Sequence, residues 1–92
     1  MPEVRFHIRW PDGSEEACYS PSTVIRDHLS PGQAYALPDF LARSETALDQ
    51  AALRVQAKLG FRCSNADAQA ARIKLRAATF GPEETVTCLS MT

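Results

Sequence analysis

No stretch of this sequence approaches the roughly 18 consecutive apolar residues of a transmembrane helix, so no membrane span is expected. The first residues run straight into Glu3 and Arg5 without a basic-then-apolar leader, so no secretory signal is expected either. Glycine is scarce, with four in 92 residues, and no phosphate-cradling loop or dinucleotide fingerprint is built from them. The GxSxG elbow and the HExxH helix are missing, which removes two well-marked hydrolase classes. Three cysteines, Cys18, Cys63 and Cys88, are too few, too far apart and odd in number for a disulfide framework. No CxxC pair occurs, and His7 and His28 stand at no zinc spacing, so neither a metal nor a cofactor is expected. Reduced thiols suit a cytoplasmic protein. Neither sign of charge dominates: the net charge of −1 excludes a chain that is basic throughout.

What is present is the composition of an ordinary folded domain, 45% hydrophobic and 23% charged. Val4, Phe6, Ile8 and Trp10 alternate with Arg5, His7 and Arg9, the period of a half-buried strand. Pro11-Asp12-Gly13 then predicts a three-residue hairpin loop with a bulge at Gly13. Setting Trp10 opposite Ser14 pairs Arg9 with Glu15, which is favourable, and Ile8 with Glu16, which is awkward. Ser20-Pro21 reads as an N-cap and first helical position, opening a short helix to Leu29. Tyr35 and Leu37 suggest a short edge strand.

A long helix is expected from Pro38 or Asp39 to Gly60. Its core stripe is Phe40, Leu41, Ser44, Leu48, Ala51, Ala52, Val55 and Leu59. Ser64 and Asp67 have capping-box spacing, predicting a last helix from Asn65 to about Thr79. That helix would bury Ala66, Ala70, Ile73, Ala77 and Phe80. The expectation is an α+β fold. A small antiparallel sheet is built on the N-terminal β-hairpin, with the short helix and a C-terminal two-helix hairpin on one face. Residues 1–80 would form one domain and residues 81–92 a tail, in which Thr85–Leu89 could pair as a strand.

Candidate chemistry clusters at two junctions. Cys63, with Arg62 before it and Ser64 after it, lies at a helix start, where amide donors and a guanidinium favour a thiolate. The competing reading is a small buried side chain. Cys18, Tyr19 and Ser20 lie where a strand meets a helix, a place where ligand contacts concentrate, but no base is placed beside Cys18. Residues 54–76 carry Arg54, Lys58, Arg62, Arg72, Lys74 and Arg76 against Asp67 alone. This is a solvated helix face or, less readily, a weak nucleic-acid surface. Arg5, His7 and Arg9 add a basic row with a single aromatic, Tyr19, beside it.

Both long helices carry a second apolar stripe, Ala42, Thr46, Leu53 and Ala57 on one and Ala71, Leu75 and Ala78 on the other. Two helices packed on each other and on one sheet cannot easily cover both Leu53 and Leu75. A homodimer burying one or both is expected, against the alternative of isolated surface leucines.

Four segments together resemble a known family: Arg9-Trp10-Pro11-Asp12-Gly13-Ser14, Cys18-Tyr19-Ser20-Pro21-Ser22, Asp39-Phe40-Leu41-Ala42-Arg43-Ser44 and Gly60-Phe61-Arg62-Cys63-Ser64. They resemble the small bacterial nitrogen-starvation response proteins first named from mycobacteria, over about residues 1–80. The resemblance implies a cytoplasmic bacterial protein encoded beside a nitrilase, a radical-SAM protein, an acetyltransferase and a flavoprotein. It implies no reaction and carries no site residues. The expected function is therefore a non-catalytic accessory or regulatory protein that binds a partner, such as an enzyme of that gene cluster, or a small ligand. The alternatives are a thiol-dependent enzyme or carrier using Cys63 or Cys18, and a weak nucleic-acid binder through residues 54–76.

Overall fold

The computed structural model describes residues 3–92. Its first two strands are β1 (Val4–Arg9) and β2 (Glu15–Ser20), and they pair antiparallel in the register set by the hairpin loop. Trp10 N–H donates to the Ser14 carbonyl at 2.8 Å, and Gly13 N–H donates to the Trp10 carbonyl at 2.9 Å. Gly13 has φ +88°, a value side-chain-bearing residues rarely adopt. The Ile8–Glu16 pair holds, and its awkwardness is resolved by Trp10. The indole Nε1–H donates to the Glu16 carboxylate at 2.9 Å, so the acid on the inner face has a partner.

Beyond β2 the chain makes a short 3-10 helix, Thr23–Asp27. The expected α-helix with Ser20 as its cap is corrected here. Ser20 closes β2, and its hydroxyl donates to the Ser22 carbonyl, while Ser22 is the N-cap and accepts from Val24 N–H. The other elements follow as β3 (Ala34–Ala36), α1 (Leu37–Leu59), α2 (Ser64–Ala77) and β4 (Thr85–Met91). Leu37, expected in the third strand, is the first residue of α1. Gly60 ends α1 in the left-handed conformation, φ +84°, with its N–H on the Gln56 carbonyl. Leu59, expected in the core stripe, is 61% exposed. At about 1.5 Å per residue α1 is about 34 Å long, far longer than a six-residue strand of about 20 Å, so its last turn overhangs the sheet.

The sheet order is β2-β1-β4-β3, all antiparallel. Residues 81–92, expected as a tail, thus supply a strand that lies between β1 and β3. β4 carries a bulge: Ile8 faces Cys88 and His7 faces Ser90, which leaves Leu89 as the extra residue. All helices cover one face. The core on that face joins Val4, Phe6, Ile8 and Trp10 of the first strand and its turn to Ile25, Phe40, Leu48, Ile73, Val86 and Cys88. Trp10 is its hub, edge-on to Phe40 at 5.9 Å and stacked on Phe80 at 5.8 Å. Arg76 lies over the indole at 5.6 Å and reaches Asp12 and Ser14, which clamps the hairpin turn to α2. The opposite face of the sheet leaves Arg5, His7 and Arg9 exposed. Among the described residues no helix is long and apolar enough to cross a membrane.

Candidate functional site

The residues singled out from the sequence fall into two groups. Cys18 faces the core opposite Phe6 and is 2% exposed. Burial pushes its thiol up to about 12, with the Glu16 carboxylate adding to the effect. Burial raises the Cys88 thiol as well. Ser20 is buried and spends its hydroxyl on Ser22. These three side chains are structural.

Tyr19, Arg62, Cys63 and Ser64 meet instead at the corner where α1 passes into α2. They line a groove of about 400 Å³ together with Pro21, Val55, Leu59, Phe61 and Asn65. Cys63 is half-buried and is the N-cap of α2, but no side chain caps that end. The capping box expected of Ser64 and Asp67 does not form, because Asp67 pairs with Arg62 through contacts of 2.8–3.0 Å. A charge-assisted, bidentate pair is stronger than a bond to a neutral amide. Arg62 also reaches Asp49 at 2.6 Å. Its hydrogen bonds, to Asp67 first, hold the guanidinium charged well above its ordinary range and the Asp67 carboxyl below its own. The Arg62 guanidinium is thus balanced by two carboxylates.

Tyr19 and Asn65 also line a second, neighbouring cleft, and so stand between the two. This cleft measures about 540 Å³ and runs between the edge of β2 and the start of α2. Arg5 and Glu3 border it from the first strand and Asn65, Ala68, Gln69 and Arg72 from α2. Burial raises the Tyr19 phenol, with the neighbouring Cys63 and Glu3 adding to it and Arg5 opposing.

Gln69 is the residue that the sequence reading missed. It is 1% exposed. Its Oε1 accepts from Tyr19 N–H at 3.1 Å and from Arg72 Nη2 at 3.2 Å. Two donors fix the amide, since rotating it would set Nε2 against both. Nε2 is then buried with no acceptor, the one such side-chain atom among the described residues. Leaving such a donor unsatisfied costs about 1–3 kcal/mol. The signal was in the sequence: Gln69 lies three residues after Ala66 and four before Ile73, on the core stripe of α2.

The basic segment is partly neutralised. Arg62 and Arg76 are ion-paired, Arg54 donates to Ser22 Oγ at 3.2 Å and Arg72 is held by Gln69. Among the described residues no three His, Cys, Asp or Glu side chains converge as metal ligands. Leu53 and Leu75 are 49% and 75% exposed, so neither is covered within the chain.

The sequence model of the family described as nitrogen starvation-induced protein NitG matches residues 5–91. The chain belongs to this family. The NitG match extends through β4, whereas the resemblance read from the sequence stopped near residue 80. No curated protein and no solved structure shows significant similarity to the chain.

The cysteines give a direct check on this geometry. Iodoacetamide at neutral pH is expected to label Cys63 in the folded protein and to reach Cys18 and Cys88 only after unfolding. The raised Cys18 thiol favours the neutral form in the folded state. Its contribution is therefore complete below the unfolded value of about 8.5 and declines by about 1.4 kcal/mol per pH unit as pH rises towards 12. Mass spectrometry of the labelled peptides, with urea melts from pH 7 to 10, reads both effects. Rapid labelling of Cys18 in the folded state would contradict its placement.

Proposed function

We propose that this NitG-family chain is a cytoplasmic, non-catalytic accessory or regulatory protein of the nitrogen-starvation response. It acts by taking a small oxyanion-bearing molecule into the cleft between β2 and α2. The reading rests on the unpartnered Nε2 of Gln69: a buried donor beside a cleft calls for an acceptor. Arg5, Arg72 and the uncapped N-terminus of α2 favour an acceptor that is also negatively charged. Arg72 holds the Gln69 amide in place.

The test is a thermal-stability titration with inorganic phosphate, sulfate and simple mono- and dicarboxylates. A ligand that binds only the folded state adds about 2.7 kcal/mol at 100 times its Kd. At least one member of the panel should raise Tm, and Arg72→Ala should abolish the rise while leaving the unliganded Tm within a few degrees. A flat Tm across the panel would remove the reading.

Partners are proposed on separate ground. Among the described residues the exposed large apolar side chains, Leu53, Leu59, Phe61 and Leu75, lie on the α1–α2 hairpin or its connection. This supports a homodimer through that face, or an enzyme of the same gene cluster seated on it. Sedimentation at micromolar concentration should give a dimer that Leu53→Glu or Leu75→Glu converts to monomer. A monomer in both backgrounds leaves the cluster enzyme, to be sought by pull-down from nitrogen-limited cells.

A further inference from the structure

We infer that the ligand of the β2–α2 cleft is an acidic α-amino acid, recognised by two guanidinium groups and one carboxylate that form no ion pair with one another. This rests on the cleft reading above and adds the chemical class of the ligand.

The argument starts from which charges remain unused. Among the described residues Arg9, Arg43, Arg62 and Arg76 each find a carboxylate within 4 Å. Arg26, Arg54, Lys58 and Lys74 do not, and neither do the charges bordering the cleft. Arg5, Arg72 and Glu3 share one concavity, and none of them forms an ion pair with another described residue. Glu3 and Arg5 come from the first strand and its lead-in and Arg72 from α2, so the three charges are brought to the cleft from two elements. Two cations and one anion left unpaired around a cleft of about 540 Å³ are complementary to a molecule with two carboxylates and one ammonium group.

The neutral groups agree with this. Gln69 Nε2 is a donor without an acceptor, and the Asn65 amide and the Tyr19 hydroxyl add donors and acceptors for the remaining oxygens. Glu3 is what separates this ligand from other anions. A phosphate ester or a nucleic-acid backbone brings negative charge only, and a carboxylate at the rim repels it. A plain dicarboxylate satisfies both arginines and leaves Glu3 with nothing. A neutral amide-bearing amino acid satisfies Glu3 and one arginine.

Isothermal titration of the full chain at low salt decides between these. The probes are L-aspartate and L-glutamate, the matching dicarboxylates succinate and glutarate, the amides asparagine and glutamine, and inorganic phosphate. The tighter of the two acidic amino acids is expected to bind at least tenfold more strongly than its dicarboxylate, its amide or phosphate. Glu3→Gln, a change at an exposed position, should abolish the preference for the acidic amino acid over its dicarboxylate, with the dicarboxylate bound no more weakly than before. Arg5→Ala should weaken both. Equal binding of amino acid and dicarboxylate by the unmodified chain, or preference for phosphate, overturns the ligand class and leaves the anion cleft standing. Failure of every probe to bind overturns both.

Discussion

A chain ending at Glu84 is expected not to fold. The eight residues removed carry β4, which pairs with β1 on one side and is the only partner of β3 on the other. Its loss strips the backbone groups of β1 that face it and takes Val86 and Cys88, both 0% exposed, out of the core. It also frees the loop before β3, since Gly32 N–H donates to the Cys88 carbonyl and Cys88 N–H to the Gln33 carbonyl. With about 5–15 kcal/mol of total stability to draw on, a domain of this size does not survive the removal of an inner strand. The expected result is loss of dispersion in the amide NMR spectrum and of a cooperative melt, with recovery when residues 85–92 are restored. A truncated chain with a native spectrum would mean that β4 does not occupy the middle of the sheet.

Replacing Trp10 with alanine should cost about 3–5 kcal/mol, the range for large aromatic truncations in a core. The indole joins three things that nothing else joins: the end of β1, Phe40 of α1 and Phe80 after α2. It is also the surface on which Arg76 lies while it holds the hairpin turn. For a domain of this length each kcal/mol lowers Tm by about 4–8 °C, so the variant should melt at least about 12 °C lower. Trp10→Phe keeps the ring and loses the donor to Glu16. The acid is then left on the inner face without its partner, at about 1–3 kcal/mol. Adding Glu16→Gln to Trp10→Phe should recover part of that loss, because an uncharged amide is cheaper to leave half-buried than a carboxylate. Chemical denaturation of the three variants reads these differences. A Trp10→Ala protein within about 1 kcal/mol of the unmodified chain would deny the indole its central place.

The hairpin was legible, although the awkward Ile8–Glu16 pair left its register open to a slip of one residue. Pro11-Asp12-Gly13 fixes the loop, the loop fixes the register, and alternation fixes which face goes inward. The long helix was legible for the same reason: its apolar stripe persists over many turns, and Gly60 marks its end. β4 was legible only as the segment Thr85–Leu89 that could pair, and the bulge explains why the reading stopped there. Val86 and Cys88 point inward at period two, but the extra Leu89 shifts the next inner position from Ser90 to Met91, and the alternation breaks at that point. The short helix was misread because Ser20 and Ser22 are both plausible caps, and only tertiary contacts choose between them. At the site, attention went to Cys63 because a thiol draws chemical interest. The informative residue was a glutamine occupying a core position on α2, which periodicity alone treats as an imperfection.

The β2 edge has one more property. An outer strand offers its free amides to any passing chain, and a sheet with a bare face and two open borders is a template for fibril growth. Here the Gln69 side chain occupies the Tyr19 amide as a neighbouring strand would, Glu15 leaves an exposed charge further along, and the far border, β3, is only three residues long. The sheet is thereby guarded against polymerising through its borders.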